Sequence, residues 1–231
     1  MPSVAPLTGI SSMATRQVLA ELAAAWHARS GAEVRFESVG GVDAARRVAA
    51  GGVFDVVVLA SDAIDRLIAG GHVRAGSKTD LAHSGVAIAV RTGARRPDVG
   101  SEAALKRAVL EARTIGTSTG PSGTALAALF DRWGIADSVK DRIVTPPPGV
   151  PVGTLVARGE IELGFQQRSE LIHVEGIDVI GAMPSGTEIV TTFSGGVCTA
   201  SAQPDAAKAL LDFMASPAAA DAKQDQGMDP A

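Results

Sequence analysis

The chain has 231 residues, 46% of them hydrophobic and 20% charged, which is enough apolar material for a folded core in one large domain or two small ones. It carries 25 acidic and 21 basic residues without a basic run, a balance that argues against nucleic-acid binding as its role. The single cysteine, Cys198, excludes an internal disulfide and a zinc site of several thiolates, and tyrosine is absent. We therefore expect no metal and no organic cofactor, and we place Cys198 in the core because its neighbours are apolar.

The sequence contains no segment typical of a membrane span. Its longest apolar runs, such as 53–60, have the length of a strand and fall short of the roughly 18 to 20 residues that a spanning helix needs. We therefore expect no membrane insertion. The first six residues lack the basic and apolar segments of a secretory leader. The chain is expected in the cytoplasm if Met1 is the native start, and elsewhere if a leader has been removed.

Short apolar strands alternate with amphipathic helices along the first part of the chain. The predicted elements are strand 5–10, helix 14–30, strand 33–38, helix 43–50, strand 53–59 and helix 61–69. Leu19, Leu22 and Trp26 recur at helical spacing and predict the buried face of the first helix. The run 53–59 is apolar almost throughout, which is typical of a parallel strand buried on both faces.

The remaining sequence repeats this alternation. Predicted strands are 85–91, 114–116, 162–166, 177–180 and 187–195, and predicted helices are 101–112, 124–133, 151–158 and 204–214. Ser101 is predicted to cap its helix, and Pro151 to be the first residue of the helix that it opens. The last ten or so residues are small and polar, so we expect them to fray.

Strands that alternate with helices predict an α/β fold with mostly parallel sheets. The length suits two lobes, one formed by residues 1–82 and 194–231 and the other by 83–193. In this arrangement the chain crosses out of the first lobe near 80–85 and returns near 191–195.

Three predicted strand-to-helix junctions are rich in glycine and hydroxyl residues: Gly9–Ser12, Ser38–Gly41 and Ser118–Gly123. Ligands of open parallel sheets bind beyond the carboxyl ends of the strands, where such junctions lie. Glycine lets a ligand approach the backbone, and the N–H groups at a helix start attract anionic oxygens. Converging junctions of this kind predict an anion pocket built from uncharged donors.

These junctions belong to a longer series of motifs that resembles a known family. The motifs, in chain order, are Gly9-Ile10-Ser11-Ser12, Ser38-Val39-Gly40-Gly41, Phe54-Asp55-Val56-Val57, Ala60-Ser61-Asp62, Pro121-Ser122-Gly123, Leu155-Val156-Ala157-Arg158-Gly159-Glu160 and Leu163-Gly164-Phe165-Gln166-Gln167. Over nearly the whole chain they resemble the molybdate-binding branch of ABC-transporter solute receptors. The resemblance implies a type II periplasmic-binding-protein fold, with two lobes, a two-segment hinge and a ligand clasped between the lobes. It also implies a periplasmic location and an ABC permease as partner.

The resemblance assigns roles to individual residues. Ser12 matches an oxyanion-binding serine of the family, and Ser122 and Val150 fall at backbone-donor positions of the second lobe. Gly40-Gly41 stands where the family has a second serine, and Gln167 where well-known members have a tyrosine that contacts molybdate. Because a serine side chain is missing and an amide is added, we expect a larger, organic anion instead of molybdate.

We predict a small anionic ligand, either an oxyanion or a di- or tricarboxylate. The predicted contacts are Ser11, Ser12, Arg16, Gly40, Gly41, Ser61, Thr119, Ser122, Gly123, Val150, Gln167 and Arg168. Arg16 and Arg168 would pair with carboxylates. Surface ion pairing is an equal alternative for both arginines.

An enzymatic role is the second hypothesis, because bacterial aconitate isomerase resembles the same fold group. Such an enzyme needs one base to move a proton between two carbons, and donors to hold the carboxylates. The candidate bases are Asp62, Glu170 and His173. Each has a structural alternative: a helix cap for Asp62, a solvated helix face for Glu170 and a loop for His173.

Overall fold

The computed structural model describes residues 5–147 and 149–231. Its strands are β1 (Leu7–Ser12), β2 (Val34–Val39), β3 (Val56–Ala60), β4 (Thr79–Arg91), β5 (Ile115–Gly116), β6 (Ile143–Val144), β7 (Leu163–Gln167), β8 (Ile177–Ala182), β9 (Val190–Val197) and β10 (Asp229–Pro230). Its α-helices are α1 (Arg16–Ser30), α2 (Gly41–Ala49), α3 (Ser61–Ala69), α4 (Glu102–Glu111), α5 (Pro121–Arg132), α6 (Ala136–Val139), α7 (Val152–Ala157), α8 (Arg168–Leu171), α9 (Pro204–Ala215) and α10 (Ala220–Asp225).

The chain forms two compact units. The first unit contains the described residues up to His83 together with Thr192–Ala231, and the second is Ser84–Thr191. The chain leaves the first unit within β4 and returns to it within β9, so two strands carry the two connections.

In the first unit, β1 is the centre of the sheet. It pairs in parallel with β2 and with β3, and β9 extends the sheet antiparallel to β3. Val56 and Val58 join the core on the side of α1 and α9, whereas Val57 and Leu59 join the core on the side of α2 and α3. Both faces of β3 are therefore buried, which explains its continuous apolar sequence.

In the second unit, β7 lies between β4, which is antiparallel to it, and β5, which is parallel to it. β6 pairs in parallel with β5, and β8 pairs antiparallel with β4. The core on the side of α4 and α5 includes Leu126 and Phe165, and that on the side of α7 includes Val152 and Val156. The sheets of both units are thus mixed: the strands that lead into helices pair in parallel, and β4, β8 and β9 add antiparallel pairs.

The α/β class is confirmed, as are most predicted elements. The hydroxyl of Ser101 accepts a hydrogen bond from the N–H of Ala104 at 3.2 Å, which is the predicted cap of α4. Cys198 is buried in the core, and this burial raises the pKa of its thiol to about 12. Within the described ranges, every helix is too short or too polar to cross a bilayer.

Three local expectations are wrong. The C-terminal residues do not fray, because they form a 3-10 turn, α10 and β10, and Met228 is 1% exposed. Pro151 is the N-cap of α7, which begins one residue later, at Val152. β3 begins at Val56 and leaves Val53 exposed, because the chain must first turn away from α2.

Asp55, which belongs to one of the motifs quoted above, has a structural role. The N–H and the hydroxyl of Thr8 donate to its Oδ2 at 2.9 and 3.1 Å, and the hydroxyl of Ser201 donates to Oδ1 at 2.6 Å. The carboxylate thus ties β1 to the segment that follows β9. Three donors compensate the cost of burying a charge at this position.

Lys223 in α10, unlike Asp55, has no partner for its charged group within the ranges that the structure describes. The residue is 1% exposed, and no described residue forms a hydrogen bond or an ion pair with its ammonium group. Burial lowers the pKa of Lys223, since the charged form loses its hydration. At neutral pH this lysine therefore opposes folding, and the penalty decreases as the pH rises above its lowered pKa toward the ordinary value.

We predict that Lys223→Met raises the free energy of unfolding at neutral pH by about 1–3 kcal/mol, because an apolar chain of similar length removes a charge that is largely dehydrated and has no ion pair with a described residue. Urea unfolding measures the change. The matched control is Lys208→Met on α9, whose side chain is 42% exposed, and a change within about 0.5 kcal/mol is expected there. A loss of stability in Lys223→Met would contradict the prediction and indicate that the ammonium has a stabilising partner.

Candidate functional site

Three parallel strands of the first unit end next to one another. Ser12, the last residue of β1, pairs with Val39 of β2, and Ser11 pairs with Val58 of β3. α2 follows β2 at Gly41, and α3 follows β3 at Ser61. The N-caps of both helices make no side-chain capping bond, so the first N–H groups of α2 and α3 remain available to an anion.

Ser12 has the most distinctive environment at this edge. It is 8% exposed, and its Oγ is buried without a hydrogen-bond partner among the described residues. A Cβ placed on Gly41 would lie 3.6 Å from the Cβ of Ser12, so the serine is next to the start of α2. The hydroxyl of Thr15 donates to the backbone carbonyl of Ser12 at 3.0 Å and holds this backbone in place.

Ser11 differs from Ser12 although the two residues are adjacent. The Oγ atoms of Ser11 and Ser38 are 2.8 Å apart, and the Ser11 hydroxyl also lies 3.3 Å from the carbonyl of Ser12. Successive residues of a strand face opposite sides, so Ser11 points to the α1 side and Ser12 to the α2 side. The hydroxyl of Ser11 is thus engaged by the protein itself.

Arg16 lies on the α1 side, with Ser11. It is exposed and lines a cavity of 420 Å³ between α1 and β2, together with Leu19, Phe36 and Ser38. No ion pair of Arg16 occurs in the part of the chain that the structure describes.

In the second unit, the start of α5 supplies a comparable set of donors. The Oγ atoms of Ser118 and Ser122 are 2.9 Å apart, and the N-cap of α5, Gly120, makes no side-chain capping bond. A Cβ on Gly123 would lie 1.8 Å from the carbonyl oxygen of Ser118, so only glycine fits where the loop closes over the helix start. Thr119 is exposed on this loop.

Gln167 ends β7 and is 4% exposed. Its Nε2 donates to the hydroxyl of Thr191 at 2.8 Å, and its Oε1 is buried without a partner in the described ranges. Arg168, the next residue, is exposed at the start of α8. Sequence reasoning missed Thr191, which fixes the amide. A sequence offers no signal for it, because the pairing joins residues 24 positions apart.

The main-chain donor expected at Val150 is already in use. Its N–H donates to the carbonyl of Pro147 at 3.0 Å within the turn before α7. The N–H of Gly153, in the first turn of α7, donates instead to Oε1 of Gln166 at 3.2 Å. The side chain of Gln166 is therefore used in hydrogen bonds within the protein, as the hydroxyl of Ser11 is.

The three candidate bases lie in different settings. Asp62 is exposed in the first turn of α3 and pairs with Arg66 at 2.6 Å. His173 is exposed in the turn after α8. Glu170 is mostly buried, so the expectation of a solvated helix face is wrong. Its Oε1 accepts from Nε2 of Gln166 at 2.8 Å, and burial raises its pKa to about 7, partly offset by this hydrogen bond.

Residues 5–147 and 149–231 contain no group of three or more His, Cys, Asp or Glu side chains that could hold a metal ion. The candidate groups of the first unit are therefore hydroxyls and helix-start N–H groups, and those of the second unit are hydroxyls, amides and the mostly buried carboxyl of Glu170.

Two α/β units joined by two strands define a type II periplasmic-binding-protein fold. Among solved structures, the chain is similar to the periplasmic molybdate-binding protein of Azotobacter vinelandii, with a TM-score of 0.80 and 19% identity over 96% of this chain and 98% of that one. It is also similar to the sulfate-binding protein of Mycobacterium tuberculosis, with a TM-score of 0.79 and 18% identity over 98% and 87% of the two chains. At these identities the similarity establishes the fold.

Comparisons of sequence establish the family. Residues 7–229 match the family model described as bacterial extracellular solute-binding protein. The chain is also 38% identical to aconitate isomerase from a Pseudomonas species, over 98% of this chain and 88% of that one. The chain belongs to the bacterial extracellular solute-binding protein family.

We predict that Ser12→Ala leaves the free energy of unfolding of the ligand-free protein unchanged or raises it by up to about 1 kcal/mol, because the hydroxyl it removes has no partner to lose. Thr15→Val is the control, since it deletes a buried hydroxyl that does donate, and it should cost about 1 kcal/mol. Equal destabilisation by the two changes in urea unfolding would assign the Ser12 hydroxyl a structural partner.

Proposed function

We propose that this chain is a binding protein for a small organic carboxylate, with Ser12 and Gln167 among its contacts. Three buried side-chain polar atoms in the described residues lack a hydrogen-bond partner: Ser12 Oγ, Gln167 Oε1 and Trp26 Nε1. Such atoms are rare in folded proteins, and an absent ligand is one physical explanation for them. Two of the three belong to residues that the sequence had nominated independently, and this coincidence carries the proposal.

The donors around Ser12 favour an anion. Its hydroxyl adjoins the start of α2, and the N–H groups at the starts of α2 and α3 point outward from the same sheet edge. The helix dipoles add positive potential at these starts. Ser61 and Ser122 open α3 and α5 with further hydroxyls. All of these donors are uncharged, so they favour an anion without forming an ion pair.

The unpartnered Oε1 of Gln167 narrows the ligand class. An amide oxygen only accepts hydrogen bonds, so its ligand must supply a donor. Sulfate and molybdate at neutral pH present acceptors alone. A hydroxy acid, or a polycarboxylate with one protonated carboxyl, presents both kinds of group. This requirement supports an organic carboxylate over a tetrahedral oxyanion.

We further infer that an ABC permease receives the ligand from this protein, since membership of the solute-binding family favours a transport role. An isomerase is the second candidate function. It is supported by the 38% identity to aconitate isomerase over nearly the full length of both chains. Trans-aconitate would satisfy the same contacts in a form with one protonated carboxyl.

We predict that the wild-type protein binds citrate more tightly than propane-1,2,3-tricarboxylate, which is citrate without its hydroxyl. At a pH of about 8, where carboxyl groups are ionised, the hydroxyl is the donor that remains for Gln167, and a satisfied buried acceptor is worth about 1–3 kcal/mol. Isothermal titration calorimetry measures both affinities. Gln167→Leu should remove the difference, and Gln17→Leu on the exposed face of α1 should keep it.

Ser12→Ala tests the anion donors in the same assay. We expect weaker binding of both tricarboxylates by about 1–3 kcal/mol, because each loses one hydroxyl donor. Strong binding of molybdate or sulfate, with no response to organic acids, would overturn the proposed ligand class. Unchanged affinity in Ser12→Ala would remove Ser12 from the site.

A further inference from the structure

A mostly buried carboxyl and a buried amide form a chain of hydrogen bonds at the end of β7. The Oε1 of Glu170 accepts from Nε2 of Gln166 at 2.8 Å, and the Oε1 of Gln166 accepts from the N–H of Gly153 at 3.2 Å. The amide of Gln166 thus has both ends fixed, and it fixes one oxygen of Glu170 in turn. This arrangement holds a carboxyl in a defined orientation at the edge of the sheet where ligands of α/β folds bind.

The position of Glu170 relates it to the proposed site. Gln167 comes immediately after Gln166 and directly before α8, the helix that carries Glu170. Gly153 is the second residue of α7 and lies three residues after Val150. Gln167, a proposed ligand contact, therefore directly precedes the helix that carries the carboxyl, and Gln166 links that carboxyl to the first turn of α7.

The surroundings of Glu170 lack a charge that would hold it ionised. β7 and α7, which lie against this cluster, contain no titratable side chain. β8 contributes Asp178, which pairs with Arg96 at 2.8 Å, and α8 contributes Arg168, which is exposed. Burial consequently dominates and raises the pKa of Glu170 to about 7. A carboxyl with this pKa accepts and returns protons with similar ease at neutral pH.

We propose that Glu170 is the catalytic residue that transfers the proton in the isomerisation of an unsaturated tricarboxylate such as aconitate. This inference rests on the second candidate function, the isomerase. The carboxylate of Glu170 takes a proton from the saturated carbon, and the electrons of that C–H bond form the new carbon–carbon double bond. The electrons of the old double bond take the proton back at the far carbon. Nothing is oxidised or reduced, and no co-reactant is needed.

The hydroxyl and N–H donors proposed as ligand contacts also have a role in this reaction. Negative charge that develops on the allylic system spreads into the attached carboxylates, where hydroxyl and N–H donors stabilise it. The proton returns to the opposite end of the three-carbon unit, so the double bond re-forms in a new position. It can then take either geometry, which interconverts the cis and trans acids.

The test is deuterium exchange of trans-aconitate in D2O, followed by NMR together with the appearance of the cis isomer. The wild-type protein should catalyse both. Glu170→Gln should lower the rate at least about 100-fold, since it removes the group that transfers the proton. The same variant should bind trans-aconitate within about threefold of wild type, because glutamine retains an acceptor for Gln166. Glu175→Gln, an exposed neighbour, is the control and should keep full activity.

The pH profile adds a readout that a structural role would not change. In the wild type, kcat/KM should rise as the pH increases through about 7, because the ionised carboxylate is the base. If Glu170→Gln proves unstable in thermal unfolding, the pH profile of the wild type is the test instead. A kcat/KM that does not rise as the pH increases through about 7 would then overturn the assignment of Glu170.

The outcomes distinguish a failure of the isomerase function from a failure of the role of Glu170. A wild-type protein that binds trans-aconitate but neither exchanges deuterium nor forms the cis isomer overturns the isomerase function. A wild-type protein that exchanges deuterium, with Glu170→Gln within about threefold of it, overturns the role of Glu170 and leaves the isomerase intact. Loss of exchange with binding retained supports both.

Discussion

Parallel pairing of β1 with β2 and β3 is the constraint on which the candidate site of the first unit depends. The pairing brings three carboxyl strand ends to one edge, and each strand end leads into a helix start. N–H groups that no capping side chain satisfies therefore collect beside Ser12 without any charged residue being buried. The second unit repeats this arrangement on a smaller scale, where β5 leads toward the start of α5.

The two side-chain atoms proposed to contact the ligand have no partner among the residues that the structure describes, because the neighbouring residues bind a different atom of the same residue. Thr15 holds the backbone carbonyl of Ser12 and leaves its hydroxyl without a partner. Thr191 binds the amide nitrogen of Gln167 and leaves its oxygen without one. Each contact fixes an orientation while the protein tolerates one unsatisfied polar atom. Desolvated polar atoms cost stability, so a ligand that satisfies them gains affinity by the same physics.

Adjacent identical residues take different roles at the ends of β1 and β7. In each pair, Ser11-Ser12 and Gln166-Gln167, the first member is used by the protein's own hydrogen bonds and the second has the open atom. The alternation of side chains along a strand separates the two members onto opposite faces. A sequence presents both members alike, and only the neighbours on each face distinguish them.

The sequence by itself determined the α/β class, the order of most strands and helices and the glycine and serine junctions, because hydrophobic periodicity and turn chemistry act over a few residues. Predictions from the sequence were wrong for Glu170, whose neighbours are typical of a solvated helix face, and for the C-terminal segment, whose small and polar residues are typical of a frayed end. Glu170 is mostly buried beside β7, and residues 217–231 form packed structure that includes the buried Met228 and Lys223. Only the tertiary structure decided these positions, since burial and hydrogen-bond partners depend on residues that are distant in the chain and close in space.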